Sequence, residues 1–354
     1  MKEIKSCDII LPSPSLYIPS GTSSLIIKGE IKLVLSTPLK VTQVVLKLHG
    51  FSQFNNSQKS TTRNLTTKDL TKQKLTVVNV TKTYNPGETI LPFSITLKSP
   101  QNLLESVEGK HAAVRYVLTA ELTKANPHAI YKTSKNVILR KNIFTNGVDI
   151  NDKVVYEGER EGLLKYKVEV SKYMVIEDDG YVGEENDDDD SPCENPRGKV
   201  KVEAMFESLD KAGVKEVKVD AFEYEMYNLA KFNSTTGVSS SSGSTTTAKS
   251  STSAPKPKTP TTRAAPKIPA FSNVSIPNPH HTKPLLTPSL TIPVSSNASE
   301  PVTFEIPIHK RMKPDSNINF LEIKHEIIMT IRFDKFMLTP LKLEVPISII
   351  TIGS

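Results

Sequence analysis

Alternation of apolar and polar side chains at period two dominates this 354-residue chain and narrows its fold more than any other feature. The stretch "GEIKLVLSTPLKVTQVVLKLHG", residues 29–50, shows it twice. Ile31, Leu33 and Leu35 share one face, with Glu30, Lys32 and Ser36 on the other. Val44, Leu46 and Leu48 then share a face, with Gln43, Lys47 and His49 opposite. Such runs are half-buried strands, and Thr37-Pro38 between them predicts a turn because proline presets φ and cannot donate to a central ladder. The stretch therefore predicts a β-hairpin with one solvated face.

Similar segments recur at 9–11, 25–35, 41–48, 75–80, 90–97, 113–122 and 137–139, with "YNPGET" at 84–89 as a strong turn signal. In "HAAVRYVLTAEL" Val114, Tyr116, Leu118 and Ala120 fall on one side, and β-branched and aromatic residues favour strand over helix. About seven strands without a helix-length amphipathic run predict a β-sandwich. A second set opens with "LLKYKVEVS" and "KVKVEAMFE" and closes with "NFLEIKHEIIMTIRF" and "LKLEVPISIITI". The expected fold class is thus all-β, with two sandwiches in tandem. The expected domains are residues 1–145 and 162–354, joined by a connection at 146–161. The second is interrupted by an acidic loop at 177–197 and a Ser/Thr/Pro-rich insert at 233–283, both expected to be disordered.

Charge is unevenly spread. The chain carries net +7, but residues 1–158 hold 21 Lys and Arg against 11 Asp and Glu, so the remainder is slightly acidic. A basic half suggests anionic partners, among them the anionic membrane leaflet. Nucleic acid is not expected, since Trp is absent, aromatic residues are 6% of the chain, and base-stacking platforms need them. The segment "MKEIKSCDIILPSPSLY" has the pattern of neither a signal peptide nor an anchor, which predicts a cytoplasmic protein with reduced thiols. In that setting the N-x-S/T sequons are accidents of composition.

No catalytic chemistry is apparent. Two cysteines make no disulfide framework, the histidines are scattered, and neither H-x-x-x-H, C-x-x-C nor G-x-S-x-G occurs. No enzyme, cofactor or metal is expected; the run Asp187–Asp190 lacks the Gly and terminal Glu of a shaped calcium loop. Thr259-Pro260 and Thr287-Pro288 are candidate proline-directed phosphorylation sites, at Thr259 and Thr287.

Two segments go beyond class. "LIIKGEIKLVLSTPLKVTQVVLKLHGFSQ" (25–53), with Gly29 preceding a strand, a Pro-containing joint after it and Gly50 ending the second strand, resembles the opening hairpin of the arrestin N-terminal domain. "YNPGETILPFSITLKSPQNLLESVEGKHAAVRYVLTAEL" (84–122) resembles that domain's next signature, through Gly87, Pro92, Phe93, Ser106, Arg115 and Tyr116. The later segments "LTIPVS" and "LKLEVPISI" look like the arrestin C-terminal domain. The resemblance is closest to the alpha-arrestins of fungi.

The resemblance implies two arrestin-type immunoglobulin-like sandwiches forming a cytosolic adaptor, peripherally associated with plasma membrane or endosomes. Its implied partners are cytoplasmic segments of transmembrane transporters or receptors, a HECT-class ubiquitin ligase engaged directly or indirectly, and anionic membrane lipids. Its implied function is ubiquitin-linked endocytosis or endosomal sorting. The alternative is a retromer-like coat or scaffold subunit, because none of the ten tyrosines has a proline two residues earlier; "PSLY" at 14–17 is the nearest look-alike. Arg332 and Asp334 are expected on a strand surface, alternating with Ile331 and Phe333.

Overall fold

A computed structural model describes residues 3–13, 15–55, 65–125, 129–141, 149–177, 198–209, 213–234, 280–284, 290–293, 301–308, 312–335 and 337–352. The first ten strands are β1 (Ile4–Ile10), β2 (Ser15–Ile18), β3 (Ser24–Leu35), β4 (Leu39–Asn55), β5 (Leu65–Val78), β6 (Lys82–Tyr84), β7 (Gly87–Lys98), β8 (Val107–Glu108), β9 (Ala112–Lys124) and β10 (Ile130–Lys141). Next come β11 (Lys153–Arg160), β12 (Leu164–Ser171), β13 (Tyr173–Glu177), β14 (Gly198–Ser208) and β15 (Val214–Tyr227), then a short helix α1 (Leu229–Ser234). The remaining strands are β16 (His280–Pro284), β17 (Leu290–Pro293), β18 (Val302–Ile308), β19 (Ser316–Ile318), β20 (Leu321–Phe333) and β21 (Leu341–Ile352).

These strands build two sandwiches on one plan. In the first, the sheet β1-β3-β7 faces the larger sheet β2-β10-β9-β4-β5; in the second, β11-β12-β14-β18 faces β13-β21-β20-β15-β16. Each larger sheet ends in a parallel edge strand, β2 on β10 and β13 on β21, while the other pairings are antiparallel. The inward positions read from the alternation are the buried ones: Ile31, Leu33, Leu46, Leu48, Val114, Leu118, Val168 and Val202 are at most 1% exposed. At roughly 1.5–3 kcal/mol per buried large aliphatic side chain, this periodic burial is the main driving force for both sandwiches.

Four expectations need correction. The stretch 29–50 is not a hairpin: β3 pairs with β1 and β7, and β4 with β5, β6 and β9. Ser36–Pro38 instead carries the chain from one sheet to the other, steered by Ser36, whose N–H donates to the Glu3 carbonyl at 2.9 Å. Alternation specifies a strand's buried face but not its neighbour, so two facing sheets satisfy the pattern as well as a hairpin does. The expected connection 146–161 contains β11, which pairs with β12 from Lys153 opposite Ser171 to Arg160 opposite Leu164. The expected tract 233–283 yields ordered ends, Ser234 in α1 and His280–Pro284 in β16, the latter paired with Phe222–Met226. Polar composition did not preclude this strand, because backbone groups supply its pairing. Glu177, placed in the acidic loop, ends β13.

No helix among the described residues is long and apolar enough to cross a membrane.

Candidate functional site

The alternation of apolar and polar side chains is broken by charge on β15 and β20. On β15 the inward positions read Val217, Val219, Ala221, Glu223, Glu225 and Tyr227, while Phe222, Tyr224 and Met226 point the other way. On β20 the inward series Leu321, Ile323, His325, Ile327, Met329 carries one histidine. Glu223 and Glu225 are each 1% exposed and His325 is 2% exposed, so charged groups occupy core positions. Such burial is unfavourable unless every group is paired.

Pairing is extensive. His325 lies opposite Glu223 across the ladder, with its Nε2 at 3.3 Å from Glu223 Oε2 and its Nδ1 at 2.7 Å from Asp315 Oδ1. Lys313 donates its backbone N–H to Glu223 Oε2 at 3.2 Å, and its Nζ forms an ion pair with Glu225. Asp315 is fixed in turn by the Ile349 N–H of β21 at 3.1 Å. Burial by itself disfavours charge on each group, yet the partners prevail. Asp315 and Glu223 raise the His325 pKa above the ordinary histidine value. His325 and Lys313 hold Glu223 below the usual carboxylate range, and the two glutamates raise the Lys313 ammonium.

The first sandwich closes over this cluster with the loop 109–111. The Lys110 N–H donates to Glu225 Oε2 at 2.9 Å, and the His111 N–H donates to the Tyr227 hydroxyl at 3.1 Å. That hydroxyl also donates to Glu225. Gly109 permits the approach: a Cβ there would lie 2.8 Å from the Tyr227 hydroxyl. Beside the polar cluster runs an apolar seam. Phe232 of α1 is fully buried, with its ring 5.3 Å from Phe54 of β4 and 4.9 Å from Phe320. Lys68 of β5 donates to the carbonyls of Phe232 and Asn233 at 2.5 and 2.7 Å, a cation at the helix C-terminus.

The signature residues lie elsewhere and brace strands. Gly29 of β3 faces Phe93 of β7, and a Cβ on it would sit 2.5 Å from Phe93 Cζ and 2.6 Å from the Ile10 carbonyl. Gly50 leaves room for the Tyr116 ring opposite, whose hydroxyl donates to the Leu104 carbonyl at 2.7 Å. Ser106 Oγ accepts the Leu139 N–H at 2.9 Å. Gly87 opens β7 at φ +116°, a left-handed conformation suited to glycine, and Pro92 sits on that edge strand. Arg115 alone connects with the junction: its Nε donates to Glu108 Oε2 at 2.7 Å, which holds β8 just before the loop 109–111. Thr259 and Thr287 lie outside the described residues, as does Asp187–Asp190. Arg332 is on the strand surface, 2.8 Å from Glu216, with Ile331 and Phe333 buried beside it.

Sequence reasoning treated the histidines as scattered and did not mark Glu223, Glu225, Lys313 or Asp315. The signal was present: in "DAFEYEMY" and "LEIKHEII" a charged or titratable side chain takes the core parity of a strand. Among the described residues no group of three or more His, Cys, Asp or Glu could hold a metal. Lysine and histidine already occupy the oxygens that would ligate one.

Paired strands, facing sheets and a salt-linked junction define a tandem β-sandwich protein whose buried chemistry holds two bodies together. The first sandwich is more specific still: residues 22–144 match the family model described as arrestin (or S-antigen), N-terminal domain. No curated protein matches the chain.

Proposed function

We propose that this protein is a non-catalytic, arrestin-like trafficking adaptor, similar to the alpha-arrestins of fungi, with a first domain near 1–145 and a second that begins with β11 at Lys153. It binds cytoplasmic segments of transporters or receptors and promotes their ubiquitin-linked endocytosis or endosomal sorting from the cytoplasmic side of plasma membrane or endosomes. The observation that carries this reading is the arrestin N-terminal match over 22–144, set within a tandem of sandwiches. The basic first half supports contact with anionic lipid, Lys72 and Lys74 standing exposed on the edge strand β5. A well-placed Lys adds about 1 kcal/mol of such attraction. Proline-directed phosphorylation at Thr259 or Thr287 is the proposed regulatory input.

One observation favours a second reading, a retromer-like coat subunit that recruits no ligase. The look-alike "PSLY" places Ser15–Ile18 in β2, hydrogen-bonded along β10, so Tyr17 is not displayed on the extended polyproline helix that WW domains grip. Binding of the full-length protein to WW domains of HECT-class ligases tests both. Micromolar binding lost on mutation of one tyrosine supports the direct ubiquitin adaptor. Absence of binding, together with a stoichiometric complex on size exclusion, supports the coat reading.

A further inference from the structure

Both ring nitrogens of His325 face carboxylates, Asp315 at 2.7 Å and Glu223 at 3.3 Å. An ionised carboxylate only accepts, so with Asp315 and Glu223 ionised both nitrogens can donate only when the ring is an imidazolium. From β21 the neighbour is Ile347, which offers no polar side chain. We propose that His325 is a proton-operated clasp between the two sandwiches: its imidazolium offsets part of the negative charge of the cluster that the loop 109–111 closes over, and loss of that proton loosens the junction.

The coupling runs through named contacts. Glu223 shares Lys313 with Glu225, and Glu225 receives the Lys110 N–H of the first sandwich. With His325 charged, three carboxylates face two cations. Without that proton, Lys313 is the one ion-paired cation left to Glu223, Glu225 and Asp315 among the described residues, in a site where burial magnifies repulsion. Among the described residues, the other charged or titratable groups facing the cluster are Tyr227 on β15, His281 on β16, and Glu108, Lys110 and His111 of the first sandwich. Burial pushes the Tyr227 hydroxyl up, and burial with Lys110 holds His111 and His281 below the usual histidine range. Those groups therefore do not exchange protons in the same window. The contribution of His325 is complete below its ordinary value of 6.5 and is lost as pH rises through its elevated folded value. The junction thus tightens on mild acidification and slackens on the alkaline side.

The test uses the full-length protein with histidines labelled for NMR, alongside hydrogen exchange across pH 5.5–9 corrected for intrinsic rates. The expected result is a His325 resonance titrating above 6.5, with exchange at 109–111 and α1 rising at least several-fold over the same interval. Asp315→Asn should move that midpoint down, and His325→Gln should abolish the pH step. A His325 midpoint at or below 6.5, or exchange at 109–111 that follows only the intrinsic rate, overturns the proposal. So does an unchanged step in His325→Gln. Should that variant not fold, the wild-type titration and Asp315→Asn decide alone.

Discussion

Glu223 and His325 face each other across β15 and β20, in a ladder whose next inward pairs are Ala221 with Ile327 and Val219 with Met329. One step further toward the first sandwich, Glu225 stands opposite Ile323 and receives a backbone N–H from Lys110. The second core thus ends in charge where it meets its neighbour, and the apolar packing resumes at Tyr227, Phe232 and Phe320, within the core of the first sandwich. A hydrophobic seam supplies area, whereas the buried ions fix the relative placement of the partners, since each needs a specific counterpart.

Glu225→Ala removes the acceptor for Lys110, Tyr227 and Lys313 together. Breaking a buried ion pair by removing one partner costs about 3–5 kcal/mol. Differential scanning calorimetry should show a lower first transition and two resolved unfolding events, because the junction loses more than either core. A single transition at the wild-type temperature would contradict the coupling role.

Phe232→Ala empties a fully buried site between Phe54 and Phe320. The expected loss is about 3–5 kcal/mol, as for other buried Phe truncations. Limited proteolysis should then cleave near α1 well before either β core, and equal protection of wild type and variant would refute this.

Gly29→Ala places a methyl 2.6 Å from the Ile10 carbonyl, a backbone atom that moves only if β1 moves. Gly21→Ala meets no atom within 4 Å and is strained only by its φ of +76°. The first should destabilise by about 1–3 kcal/mol as overpacking and the second by about 1–2 kcal/mol. Urea midpoints separate them, and only Gly29→Ala should alter β1 hydrogen exchange.

Cys7 is 4% exposed, and burial followed by the neighbouring Asp8 pushes its thiol up to about 11. In a Cys193→Ser background the folded protein should resist thiol reagents at pH 8, and react at once when unfolded. Rapid labelling of the native protein would show that β1 opens readily.

Much of the fold was legible. Strand character, burial face and the two-sandwich class all followed from period two, because side-chain direction is a local property of an extended backbone. The signature glycines were legible as residues, though their reason was not: that Gly29 exists for Phe93 and Gly50 for Tyr116 depends on a register between distant strands. The junction was the least legible part. Its members come from β15, β20 and the segment 312–315, with a lid from 109–111.

By itself, then, the sequence determined most of the strands and which side of each is apolar, and it carried, unmarked, the violation of that rule at Glu223, Glu225 and His325. Tertiary structure alone decided that 29–35 and 39–50 lie in opposite sheets, and that the three violations meet at one place with Lys313 and Asp315. The physical reason is that every strand offers the same backbone donors and acceptors. Partner choice is therefore set by long-range packing and loop closure, and a buried charge is tolerated only where that packing has already brought its counter-charge.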